Sequence, residues 1–346
     1  MLKTMISSRF APFFLAWALL GGMPAALANE GAQGPRFALP IDCVPGASCF
    51  VQNYVDHDPS PAWRDYACGA RTYDGHDGTD FRVPSMAAVR AGVAVLAAAD
   101  GVVAGVRDGM ADVSFRETGK EAVKDRECGN GLLLRHADGW ETQYCHLAQG
   151  SVAVRRGQAV RSGERLGLVG LSGLTEFPHL HLTIRHKGKA VDPFAPAPVA
   201  GACGSEQTLW DAATAQALAY RRRVLLNHGF SDRALTMAEV ENLPPDAARP
   251  NGQSSALVAW VRMIGLEPGD AARLTLRAPD GTVIAERLQP ALERAQAQSL
   301  SLIGRKRPAS GWPAGTYRAE YQITNAGQPV FSQSFSLNIA AEAPVN

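Results

Sequence analysis

Glycine cuts the apolar runs of residues 88–194 into pieces only a few residues long, and that punctuation leaves few folds open. "AVRAGVAVLAAADGVVAGVRDG" (88–109) holds two apolar strands parted by Asp100-Gly101. "GNGLLLRHADGWETQYCHL" (129–147) reads as a hairpin around Asp138-Gly139. "SVAVRRGQAVRSGERLGLVGLSG" (151–173) carries turn glycines between short apolar stretches, and "HLHLTIRHKGKAVDPF" (179–194) is a strand, a Lys-Gly turn and a short return. Pieces this short suit strands rather than helices. A mainly β chain is expected, with a compact all-β barrel or sandwich over about residues 40–200.

Histidines stand on that scaffold in a restricted pattern. In "HLH", His179 and His181 lie two apart on a strand, so both emerge on one face while Leu180 and Leu182 enter the core. In "YDGHDGTDFRVP" (73–84), His76 and Asp80 flank Gly78, and the β-leaning run that follows indicates a loop entering a strand rather than a helix. His146 in "YCHL" supplies a third imidazole-bearing segment. An open zinc site takes three protein ligands and leaves one position free. His76, Asp80 and one member of the His179/His181 pair complete such a triplet. The other member and His146 would then stand ready to take a proton and to hydrogen-bond an oxyanion.

These motifs, in this order, resemble the lysostaphin-type zinc metallopeptidases. That family's pattern is H-x-x-x-D, then Y-x-H-L, then H-x-H, matched here by His76/Asp80, Tyr144/His146/Leu147 and His179/His181. The flanking sequence resembles the family's core over residues 72–195. The resemblance implies a duplicated-hybrid-motif type of β domain and an exported zinc endopeptidase acting on peptidoglycan stem peptides or cross-links. It also implies that His76, Asp80 and His181 hold Zn2+ and that His146 and His179 are the catalytic histidines. A different reading is a catalytically silent relative that binds peptidoglycan or activates cell-wall amidases, distinguished by metal uptake without hydrolysis. The "VRRGQAVRSGERLGLVG" stretch also resembles lipoyl or phosphotransfer carrier domains, but it offers no modifiable lysine at an exposed hairpin tip.

The N-terminus reads as a secretory leader. Lys3 and Arg9 precede an apolar run from Phe10 to Leu20, Gly21-Gly22 and Pro24 break it, and Ala26-Leu27-Ala28 offers a small-x-small cleavage site. Residues 1–28 are therefore expected to be removed, leaving no stable membrane span and an exported chain, periplasmic in the first reading and extracellular in the alternative. The sequence holds 34 Lys+Arg against 33 Asp+Glu. Loss of Lys3 and Arg9 leaves 32 Lys+Arg against 33 Asp+Glu, a formal charge of −1, which gives no electrostatic footprint for nucleic acid. The mature part keeps Cys43, Cys49, Cys68, Cys128, Cys145 and Cys203, an even set suited to disulfides. Cys43 and Cys49, enclosing "VPGAS", are the expected pair. Cys145 is expected to be structural and to point away from the face of His146.

The remaining segments divide the chain further. The resemblance implies a metallopeptidase domain over residues 29–200, and the polar stretch 107–128 reads as a solvated insertion. Residues 201–254 read as a helical segment, strongest over "TLWDAATAQALAYRRRVLLNHGF" (208–230), followed by a Pro/Gly-rich linker. Alternating patterns over 255–340 suggest an immunoglobulin-like β-sandwich without histidine or cysteine, a binding or positioning module. Among the other histidines, His57, His186 and His228 read as surface residues and His136 as structural. Tyr144 reads as a packing residue, and Asp192 as closing a turn.

Overall fold

The computed structural model describes residues 34–341 apart from 199–201, 243, 245 and 246. The expected leader, residues 1–28, lies outside the described residues. Among those described, no helix is long and apolar enough to cross a membrane.

The N-terminal sheet is built from the short strands the glycine spacing predicts. Its order is Phe50–Val51, Thr79–Arg82, His179–His186, Trp140–Leu147, Asn130–Arg135, Gly101–Arg107 and Ala159–Val160, with Lys189–Ala190 hydrogen-bonded to His179–His186. Ala94–Leu96 and Arg165–Leu168 pair as a separate two-stranded piece. All the strand pairings are antiparallel. The hairpin at Asp138-Gly139 has positive φ at both residues, 55° and 78°, the backbone that a tight turn between right-twisted strands requires. Phe81, Leu134, Leu180 and Leu182 pack into one core with Val95 and Leu166. Because strand side chains alternate, burying these residues commits Asp80, His179 and His181 to the opposite face.

Three disulfides staple this part of the chain: Cys43–Cys49, as expected, together with Cys68–Cys203 and Cys128–Cys145. Cys68 and Cys203 are 135 residues apart and close nearly the whole N-terminal sheet into one covalent loop. A loop of that length is worth about 4–5 kcal/mol by chain entropy.

Two further sheets follow. One orders Val224–Ser231, Ala256–Leu266 and Gln296–Lys306, and the other Val283–Gln289, Asp270–Arg277, Gly315–Asn325 and Gln328–Ile339. They bury Leu257, Val261, Met263, Leu274, Tyr317 and Tyr321 in a common core. The helical reading of 208–230 needs correction. Helix occupies only Ala212–Ala217, and Val224–Ser231 is a strand paired with Ala256–Leu266. Val224 and Leu226 are buried against Phe50 and Ile264, so an alternation that is also compatible with helical spacing is resolved by tertiary pairing. The C-terminal β unit thus begins at Val224, ahead of the expected boundary at residue 255. A short helix, Met237–Asn242, follows that strand.

Candidate active site

His181 and Asp80 face each other across adjacent strands: the register pairs Asp80 with His181 and Arg82 with His179. His76 reaches the same point from the loop before the Thr79–Arg82 strand. The three donor atoms converge, with His76 Nε2 3.2 Å from Asp80 Oδ1 and 3.2 Å from His181 Nδ1. His181 Nδ1 is 2.9 Å from Asp80 Oδ1. Among the described residues this is a cluster with metal-ligand composition, buried at His76 and Asp80 and half-open at His181.

The outward atoms of the cluster are all occupied. His76 Nδ1 donates to the Tyr54 carbonyl at 2.6 Å, and His181 Nε2 donates to Thr183 Oγ1 at 3.0 Å with Asp77 Oδ1 3.4 Å away. Asp80 Oδ2 accepts from Asn53 Nδ2 at 2.8 Å. With their outer N–H groups committed, His76 Nε2 and His181 Nδ1 are left with lone pairs aimed at the common point. Gly78 makes the approach possible, since a Cβ there would lie 2.6 Å from the His181 ring and 2.7 Å from the Leu182 carbonyl.

The electrostatics follow from burial against charge. Burial alone would raise the Asp80 carboxyl, but His76, His179 and His181 outweigh it and hold it well below the usual carboxylate range. Burial likewise pulls His181 down, yet hydrogen bonds and charge from Asp77 and Asp80 carry it up to about 9. Asp77 is lowered to about 2, chiefly by its hydrogen bond with His181.

His146 and His179 stand beside this cluster, their rings 4.7 Å apart. His179 Nδ1 donates to the Phe177 carbonyl at 2.9 Å, with Thr175 Oγ1 3.1 Å away. His146 Nδ1 donates to the Ser172 carbonyl at 2.7 Å, turning Nε2 towards the cleft. Burial, with His179 and His181 nearby, pushes His146 well below the ordinary imidazole range, so it is neutral at physiological pH.

The position of His146 departs from simple strand alternation. Cys145 pairs with His181 and so occupies the site face, which would send His146 into the core. Instead the register slips by one residue between Leu132/Tyr144 and Asn130/Leu147, and His146 adopts a left-handed φ of 63°. This β-bulge re-aims the imidazole into the cleft. The expected opposition of Cys145 and His146 is corrected on that ground. Cys145 is nonetheless structural, being bonded to Cys128.

Several neighbours carry no clear sequence signal. Asp77 and the carbonyls of Tyr54 and Ser172 fix the ligand and catalytic rings, and Asn53 fixes the Asp80 carboxylate. Thr183 alone was accessible, standing two residues beyond His181 on the same strand face. The 107–128 insertion is not simply solvated. Phe115 N and Ser114 Oγ donate to the Thr175 carbonyl, Arg116 pairs with Glu176 at 2.6 Å, and Asp112 accepts from Leu171 N. It therefore buttresses the 171–176 loop that leads to His179. His57 is also not a surface residue, because its Nε2 meets the buried Asp192 Oδ2 at 2.7 Å. Asp192 closes a turn onto Phe194 N, as expected, and the Tyr144 hydroxyl accepts from Ala98 N in the core. His186 is half-buried and stacks on Trp140.

Known proteins share this arrangement of sequence. The cell division protein DipM of Caulobacter vibrioides is 36% identical over 124 residues, covering 34% of this chain and 17% of that protein. The peptidoglycan DD-endopeptidase ShyB of Vibrio cholerae is 31% identical over 133 residues, covering 38% of this chain and 26% of that protein. The chain thus spans about a quarter or less of these relatives. Among solved structures, the catalytic domain of lysostaphin from Staphylococcus simulans is 21% identical. That likeness covers 41% of this chain and 85% of the other, with a TM-score of 0.27 that adds nothing to the sequence matches. The profile of peptidase family M23 matches residues 74–193, the stretch that carries all five converging side chains, and these residues form a peptidase family M23 domain.

Proposed function

We propose that the chain is an exported zinc endopeptidase that hydrolyses peptide bonds in peptidoglycan stem peptides or cross-links. The observation that carries this reading is the convergence of His76, Asp80 and His181 with His146 and His179 beside them. Two imidazole nitrogens and one carboxylate oxygen, each backed by an outer hydrogen bond, fit zinc. Zinc held there would polarise the scissile carbonyl and lower the pKa of water on the open side. His146, kept neutral by its surroundings, accepts the proton of the attacking water at Nε2 and passes it to the leaving amine. His179 Nε2 lies 3.3 Å from Asp80 Oδ1 in the metal-free site, and with a metal on that oxygen it would be available to hydrogen-bond the developing oxyanion. The name of the Vibrio relative supports peptidoglycan as the substrate class. Three disulfides and the leader-like N-terminus support export to an oxidising compartment such as the periplasm. Residues 29–200 serve as the catalytic domain, and the β unit from Val224 onward serves to bind or position wall.

The test is incubation of the chain, without residues 1–28, with purified sacculi in the presence and absence of a zinc chelator. Muropeptide release that the chelator blocks is expected, and the fragment masses name the bond; release indifferent to the chelator would contradict the metal-dependent reading.

Metal uptake carries its own signature. In the metal-free site His181 sits at about 9, so at any lower pH zinc must displace a proton. Apparent zinc affinity should rise by about tenfold per pH unit up to about pH 9 and then level off. Competition with a chromophoric chelator at several pH values reads this slope, and a flat profile would contradict the assignment of His181 as ligand.

A further inference from the structure

Only two aromatic side chains among the described residues are exposed, and both stand on loops beside the candidate active site. Trp63 and Tyr73 each leave 51% of their surface open to water. The Tyr73 ring lies 4.5 Å from the ring of His76, whose backbone N donates to the Tyr73 carbonyl at 3.0 Å, so the phenol sits at the edge of the ligand cluster. Trp63 belongs to the 56–64 loop, which Asp56 fastens to the same place. Asp56 Oδ1 accepts from Arg64 N at 3.0 Å, Oδ2 accepts from Gly75 N at 3.1 Å, and Asp56 N donates to the His76 carbonyl at 2.8 Å. One carboxylate thus bridges the backbone next to Trp63 and the turn that carries Tyr73. His57 N closes the loop on the Arg64 carbonyl, and the His57 ring pins its base to Asp192.

Packing does not account for the Trp63 indole. It makes no ring contact and no side-chain hydrogen bond among the described residues, whereas Trp140, Trp210 and Trp312 are buried. Single exposed apolar residues are ordinary, but two rings on loops tied together beside a cleft mark a contact surface. The surroundings select what it contacts. The two loops expose no other large apolar side chain and carry Asp56, Asp58 and Asp74 against the one arginine Arg64. An apolar protein face laid on the rings would strip water from those carboxylates, and an acidic peptide would be repelled by them. A neutral sugar meets both conditions. The C–H face of a pyranose packs on an aromatic ring, while hydroxyl and acetamido groups at its rim donate to carboxylates such as Asp74.

We propose that Trp63 and Tyr73 form a sugar-binding platform at the edge of the catalytic cleft, whose ligand is a neutral N-acetylated amino sugar of a glycan strand. Turns within the loop hold Trp63 ready, with Asp58 Oδ1 accepting from Ser60 N at 2.9 Å and Ser60 Oγ accepting from Ala62 N at 3.2 Å. Rings so held lose little freedom on binding. The inference rests on the peptidoglycan reading and adds a glycan contact to a site otherwise argued from peptide chemistry. A peptide attached to the held strand is delivered beside His76.

The test uses the full chain without its leader and calorimetry with the β-1,4-linked tetramer of N-acetylglucosamine, a free stem tetrapeptide being titrated separately. The wild type should bind the tetramer, and Trp63→Ala and Tyr73→Ala should each weaken that binding by about tenfold or more. No tetramer binding by the wild type, or unchanged affinity in a folded Trp63→Ala, would overturn the platform. Binding of the tetrapeptide in place of the tetramer, lost in Trp63→Ala, would assign the rings to peptide and overturn it equally. If the variants do not fold, the indole N–H resonances of the wild type decide. The tetramer should shift that of Trp63 and leave those of Trp140, Trp210 and Trp312 in place, and an unmoved Trp63 signal would again overturn the proposal. Trp63-dependent tetramer binding by a chain that releases no muropeptides from sacculi would keep the platform and sink the hydrolase reading. Muropeptide release by a chain that does not bind the tetramer would do the reverse.

Discussion

His181→Ala is expected to lose zinc and turnover together. Its Nδ1 is one of three donor atoms gathered within hydrogen-bond distance, and its loss leaves His76 Nε2 and Asp80 Oδ1 of that trio, with His179 Nε2 3.3 Å from Asp80 Oδ1. The loss removes the polarisation of the carbonyl and the activation of water, worth several kcal/mol, so turnover should fall by about 10³-fold or more. The β-sheet should survive, because His181 faces the cleft while Leu180 and Leu182 hold the core. Metal analysis of the purified variant beside its rate on cross-linked muropeptides checks both halves. A variant that retained stoichiometric zinc would remove His181 from the ligand set.

His146→Ala should separate the two properties. Its ring lies 6.0 Å from that of His181, and its nitrogens are engaged with the Ser172 carbonyl and the open cleft rather than with the ligand cluster. Zinc content should therefore remain at one per chain. Loss of the general base should cost about 10²–10⁴-fold in kcat. With zinc kept saturating at each pH, the wild-type rate should also hold well into the acid range, since burial keeps His146 neutral there. Full activity in a folded, zinc-loaded His146→Ala would end its assignment as the proton acceptor.

The parts of this site that were legible in the sequence are those governed by local periodicity. "HLH" announces two imidazoles on one strand face, and glycine-bearing turns mark where strands end, because both depend on only a few consecutive residues. The partner positions of His76 and Asp80 were legible as motif but not as geometry, since Gly78's contact with His181 is made 103 residues along the chain, roughly. The bulge at His146 left no signal, because a left-handed histidine has no compositional mark. Non-local choices were the least visible. Val224–Ser231 resembles a helix until Ala256–Leu266 pairs with it, and His57 looks solvated until Asp192 arrives from a distant turn. The same holds for Arg82 and Arg262, whose shared partner Glu241 joins three segments that no spacing rule connects.

The most direct test of the central claim is to strip the chain of metal, titrate zinc back and follow cleavage of a purified cross-linked muropeptide dimer. The account predicts no cleavage without zinc and turnover that rises linearly to a plateau at one zinc per chain. A chain that binds one zinc, stays folded and leaves the dimer intact would contradict it and identify a metal-binding protein that engages the wall without cutting it.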